Sequence, residues 1–189
     1  MGFKTSFLTG IIFLACIVGL LAYFYLPRPP SDLKIVYLSD RPEFIPALTD
    51  WTYNKWKDYD PTLTKERASQ IYKRPMSKDT PSFVLLMLNK DKLLGMISLH
   101  EHEVIDDFKD KSPWIDDFYV DPKYINEKIS VRRYLMRSLQ GASKNIGINK
   151  LYVFTSDPAQ VDWYMELGWK IIKTSMYQNH LITIMELDN

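Results

Sequence analysis

Apolar positions recur along this chain in distinct rhythms, and each rhythm predicts a different kind of element. Phe7 to Leu26 is continuous, twenty residues without a charge. As a helix rising about 1.5 Å per residue, such a run just spans the hydrocarbon core of a bilayer. After Leu33 the spacing switches between two residues and three or four, as strands and amphipathic helices do. It predicts a strand over Leu33 to Leu38 and then a helix opened by Asp40 with Glu43 as its capping-box partner. Phe44, Ile45, Leu48, Trp51 and Lys55 continue that helix, and Thr64 to Lys73 forms a second one after Pro61. Ser82 to Leu88 and Leu93 to His100 read as two strands joined by the turn Asn89-Lys90-Asp91-Lys92. Gly95, inside the second of them, marks a bulge or a close approach of backbone.

The stretch from Ser112 to Phe154 organises the rest. Pro113 to Val120 is rich in aromatic and β-branched residues and is broken by Asp121-Pro122, as a strand end should be. From Ile129 onward, Val131, Leu135, Leu139, Ala142 and Ile146 share one helix face, Gly147 stands at the C-cap, and Leu151 to Phe154 is a short strand. Strand, loop, helix and strand in that order form a crossover unit, which requires parallel neighbouring strands. The loop after the first strand leads into a helix N-terminus, a place where an anion is held. Asp157-Pro158, with Gln160 at the third helical position, opens the last helix, and Gly168 closes it. Trp169 to Ser175 and Leu181 to Leu187 form a final hairpin around Tyr177-Gln178-Asn179-His180.

Composition narrows the function classes. The chain has 189 residues and a formal net charge of +1, with no basic stripe, so nothing argues for nucleic acid. Its single cysteine, Cys16, lies within the apolar run, so the rest of the chain has no disulfide of its own. His100-Glu101-His102-Glu103 invites a metal reading. On a strand, however, His100 and His102 share one face and Glu101 and Glu103 the other, so no metal is expected. A solvated strand end is the default there, with one of these groups as a general base the other reading.

The segments PWIDDFYVDPKY, GINKLYVFT and WYMELGWKII, in that order, resemble the acyl-CoA-binding half of the GNAT superfamily of N-acetyltransferases. The likeness covers the chain from about Leu33 to its end. It implies an α/β fold with a mixed, mostly antiparallel sheet of six to seven strands, helices on both faces, and a splay near Val120 and Phe154. It also implies acetyl-CoA as co-substrate and direct transfer to a primary amine. The acceptor is a small molecule or a peptide terminus, and Trp51, Tyr53, Trp56 and Tyr59 either line its pocket or pack the core. Carried over from the family's motifs, Val120 and the loop and helix start at Asn126, Lys128, Ile129, Ser130 and Val131 hold the cofactor. Tyr164 protonates the departing thiolate, and Asp116 or Asp117, expected on opposite faces of their strand, handles the amine. The family's pyrophosphate loop carries Arg or Gln followed by glycines; here those positions are Ile125 and Lys128, with Ser130 the last small residue. Glycines let phosphates approach backbone N–H groups, so Asn126, Lys128, Arg132 and Arg133 must supply what the backbone does not, against Glu127. A GNAT fold that binds or scaffolds without turnover is the alternative reading.

The expected domain plan is a short tail over 1–6, a transmembrane helix over 7–26, a proline-rich linker over 27–32, and the acetyltransferase domain over 33–189. Tyr23 and Tyr25 suit the aromatic belt at a membrane interface. The run reads as an uncleaved single-span anchor, with a cleaved signal peptide as the rival, and Lys4 on one side against Arg28 and Lys34 on the other barely decides its orientation. The resemblance, through its use of acetyl-CoA, implies a domain that faces the cytoplasm.

Overall fold

The computed structural model describes residues 32–74, 77–101, 108–124, 130–177 and 179–189. The apolar run at 7–26, most of the proline linker and the loop residues Asn126, Lys128 and Ile129 lie outside that description. Among the described residues, no helix is long and apolar enough to cross a membrane.

Seven strands form one sheet: β1 (Leu33–Tyr37), β2 (Phe83–Asn89), β3 (Lys92–His100), β4 (Trp114–Val120), β5 (Lys150–Thr155), β6 (Lys170–Tyr177) and β7 (His180–Asp188). Their spatial order is β1-β2-β3-β4-β5-β7-β6, antiparallel throughout except where β4 meets β5. Helices α1 (Ile45–Trp56) and α2 (Lys65–Lys73) cover one face, where Leu48 and Tyr72 bury against Val84, Leu86, Leu88 and Met96. The other face takes α3 (Val131–Asn145) and α4 (Pro158–Glu166). There Val131, Leu135, Leu139 and Tyr164 pack on Leu85, Ile97, Ile115 and Val153.

Capping chemistry sets most boundaries where the sequence places them. The Asp157 carboxylate accepts from Ala159 N at 3.0 Å, with Pro158 at the first turn of α4. Gly147 (φ 81°) and Gly168 (φ 90°) end α3 and α4 in the left-handed region that glycine enters without a Cβ penalty.

The start of α1 differs from expectation. Two 3₁₀ turns, Leu38–Asp40 and Pro42–Phe44, precede it, and the helix begins at Ile45. Pro42 disfavours helical backbone at the residue before it, and Arg41 sits at φ −138°, ψ 58°. Glu43 is drawn to Arg41 Nε at 2.5 Å instead of reaching back to Asp40.

Two departures from regular pairing shape the middle of the sheet. The parallel β4–β5 ladder holds only at Trp114↔Tyr152 and Ile115↔Val153, after which the strands part. In the β3–β4 ladder, Ile97 faces Phe118 and Leu99 faces Ile115, so Asp116 and Asp117 together oppose Ser98. This β-bulge turns the strand at the point where it leaves β5. Gly95, paired with Val120, marks a close approach of backbone: a Cβ there would stand 2.8 Å from the Tyr119 carbonyl oxygen.

Candidate active site

The parting of β4 and β5 opens a cleft of about 570 Å³. Its walls include Lys55, Trp56 and Tyr59 from α1 and the turn after it, Asp116 to Phe118 from β4, and Tyr164 from α4. His180 closes one side and stacks on Tyr59, with ring centroids 4.8 Å apart.

The two aspartates take different parts. Strict alternation predicts that they point to opposite faces; the bulge cancels that alternation, and both line the cleft. Asp117 is buried, and its carboxylate is occupied by donors: Tyr72 Oη at 2.6 Å, Trp56 Nε1 at 3.1 Å and Thr52 Oγ1 at 3.2 Å. Its own N–H reaches the Ser98 hydroxyl at 2.8 Å, which stands in for the ladder bond the bulge removes. Burial, then the neighbouring Asp117 charge, holds the Tyr72 hydroxyl well above the ordinary tyrosine range. The three donors tie Asp117 to α1 and α2. Asp116 keeps an accessible side chain, 40% exposed, with His100 Nε2 3.9 Å from its Oδ2. His100 is not the solvated strand end expected: its side chain is only 13% exposed, and burial lowers its pKa.

Tyr164 is fully enclosed among aromatic rings, 5.2 Å from Trp163 and 5.3 Å from Trp169 between centroids. Burial raises its hydroxyl above the ordinary tyrosine pKa, and the Arg132 guanidinium opposes the rise. Arg132 itself lies over the Trp163 ring at 4.2 Å and the Phe118 ring at 5.5 Å, spanning from β4 to α4.

The family model for the acetyltransferase (GNAT) domain matches residues 51–188. The chain belongs to the GNAT acetyltransferase family. Its fold is shared by a GCN5-related N-acetyltransferase from Kribbella flavida, at 17% identity and TM-score 0.64, covering 85% of this chain and 100% of that one. An acetyltransferase from Streptococcus agalactiae aligns over 85% of this chain and 100% of its own, at 15% identity and TM-score 0.62. The yncA protein of Salmonella typhimurium, solved with its cofactor acetyl-CoA, aligns over 84% of this chain and 94% of its own, at 15% identity and TM-score 0.64. No curated protein matches the sequence.

Within this GNAT domain, the expected cofactor residues divide. Val120 and Val131 bury their side chains in the core, so only their backbone groups are available to a ligand. Ser130 accepts from Arg133 N at 3.3 Å as the N-cap of α3. Asn126, Lys128 and Ile129 lie outside the described residues, as do His102 and Glu103. Among the described residues, no three metal-ligating side chains converge. The aromatic group on α1 also divides. Trp56 and Tyr59 line the cleft. Trp51 stacks on Tyr119 at 4.6 Å, and Tyr53 lies near Lys57 and Lys65 on the outside of the helix.

Lys55, Thr52 and Tyr72 are the site residues that spacing alone did not single out as functional. The available signal was a lysine on the apolar stripe of α1, in line with Leu48 and Trp51. Its ammonium nitrogen donates to the Phe118 carbonyl at 3.2 Å, a backbone acceptor in the part of β4 that has left β5.

Proposed function

We propose that this chain is a membrane-tethered N-acetyltransferase that moves an acetyl group from acetyl-CoA to a primary amine. The observation that carries the reading is the shared cleft: accessible Asp116 and buried Tyr164 both line it, where two parallel strands part. A pantetheine arm is an extended chain of amides, and strand edges released from each other offer it unpaired backbone groups. Beyond Ile115 and Val153, β4 and β5 fit that requirement, and Ser130 starts a fifteen-residue helix whose N-terminus suits a phosphate.

In this scheme the acceptor amine attacks the thioester directly, with no covalent enzyme intermediate. Asp116, accessible at the cleft, takes the ammonium proton or holds the cation in place. Tyr164 donates to the sulfur as the thiol leaves. Because burial keeps the phenol protonated, its main contribution is a hydrogen bond, and the Arg132 cation stabilises the negative charge that develops on its oxygen. Cys16 lies in the apolar run and takes no part.

The apolar run at 7–26 supports a membrane tether, with the domain on the cytoplasmic side where acetyl-CoA is available. The acceptor is a small-molecule or peptide amine. An aminoglycoside 6'-N-acetyltransferase complexed with coenzyme A shares the fold at TM-score 0.62 and 14% identity, which fits an acceptor of the small cationic kind. Thiol release from acetyl-CoA in the presence of a panel of amines tests the reading. Amine-dependent release that falls on Asp116→Asn substitution supports it. Release from no amine by a folded protein contradicts it and favours a binding module.

A further inference from the structure

Lys55 has no assigned task, yet its side chain lines the same cleft as Asp116 and Tyr164. It is half-buried on α1 and lines the cleft beside Asp116, Asp117 and Phe118. Its Nζ donates to the Phe118 carbonyl at 3.2 Å, and the Trp56 ring lies under it at 4.6 Å. Phe118 in turn packs on Trp163, with centroids 5.8 Å apart, and Trp163 on Tyr164. Phe118 and Trp163 therefore stand between the amine and Tyr164 along the cleft wall.

From this placement we infer that Lys55 is an acetylation site of the protein itself, modified from acetyl-CoA bound in its own cleft. The inference rests on the acetyltransferase reading above. The neutral Nζ attacks the thioester carbonyl carbon. A C–N bond forms as the C–S bond breaks, and the proton shed by nitrogen ends on the CoA thiolate. The products are an Nε-acetyl-lysine and CoA thiol. Two further features favour the step. The amine is primary and held within the cleft, so its reaction has the advantage of an intramolecular one. Burial also lowers its pKa, against the pull of Asp117 and Asp116, which raises the share of the reactive neutral form. Acetylation removes a cation from the cleft and fills the place an acceptor amine would take, so the modified chain loses turnover.

The test is peptide mapping by mass spectrometry of the purified full-length protein incubated with acetyl-CoA and no acceptor. The expected result is one acetyl group per chain on Lys55, gained about ten-fold faster or more than on exposed lysines. Lys65 and Lys78, whose side chains are 54% and 48% exposed, serve as internal references. Urea-unfolded protein should lose the preference. Calorimetry of acetyl-CoA binding on the same sample separates the two levels of the argument. Binding without preferential acetylation of Lys55 overturns this inference and leaves the enzyme reading standing. No binding overturns both.

Discussion

Tyr72 donates its phenolic hydrogen to Asp117 across 2.6 Å, tying α2 to the bulge of β4. Thr52 and Trp56 reach the same carboxylate from α1, so one buried charge fastens both helices of that face to the strand that forms the cleft wall. Removing the Tyr72 hydroxyl takes one donor from a buried charged acceptor, at a cost of about 1.5–3 kcal/mol. Tyr72→Phe is therefore expected to lower stability by that amount in urea unfolding. Acetyl-CoA affinity should be retained, because the substituted side chain supports the wall from behind.

The two aspartates should separate cleanly in kinetics and stability. Asp116→Asn is expected to lower kcat/KM by about 10²–10⁴-fold, the usual span for a general base, with little change in the unfolding midpoint. Asp117→Ala should do the reverse and destabilise first, since it leaves Trp56, Tyr72 and Thr52 donors without their acceptor. Parallel steady-state and denaturation measurements on both variants check the division.

Tyr164 and Tyr72 give the protein an alkaline weakness. Both hydroxyls have pKa values raised above the ordinary value of 10 in the folded state. The unfolded chain therefore ionises first as pH rises, and stability present below about pH 10 is lost on going up through the folded values. Tyr164→Phe removes one such group, so its unfolding free energy should fall less steeply above pH 10 than that of the unmodified protein. The same variant should lose about 10²-fold in kcat, with its affinity for acetyl-CoA held.

The α/β order, the parallel crossover and the helix caps were legible because short-range chemistry decides them. Asp157-Pro158 can hardly do other than start a helix, and Gly147 and Gly168 occupy backbone that other residues avoid. The start of α1 departs from the sequence pattern because Asp40 and Glu43 satisfy the capping motif while Pro42 and Arg41 override it. The placing of Asp116 and Asp117 failed for a different reason. A bulge is a relation between two strands, and nothing in the β4 residues alone announces that Ser98 will face two of them. Likewise Thr52 and Tyr72 become site residues only when α1 and α2 dock over Asp117, a contact 45 residues apart in sequence for Tyr72.

Gly95 is where close packing should show most sharply. A methyl group there meets the Tyr119 carbonyl oxygen at 2.8 Å, with Leu135 Cδ1 and Val120 Cγ2 both at 3.1 Å. Backbone cannot swing aside as a side-chain tip does, so Gly95→Ala should cost about 1–3 kcal/mol, the range for overpacking a core. The displaced strand end is Val120, so acetyl-CoA binding should weaken as well. Thermal unfolding and calorimetry on this variant read the two effects separately.

Cofactor binding bears most directly on the central claim, because the loop over 125–129 lacks the glycines that the family uses for phosphate. Isothermal titration of acetyl-CoA into the full-length protein is the decisive measurement. The account predicts a one-to-one complex with a dissociation constant in the micromolar range, about −8 kcal/mol. A folded protein that gives no heat at millimolar acetyl-CoA would contradict it, leaving a GNAT fold that does not work as an acetyltransferase.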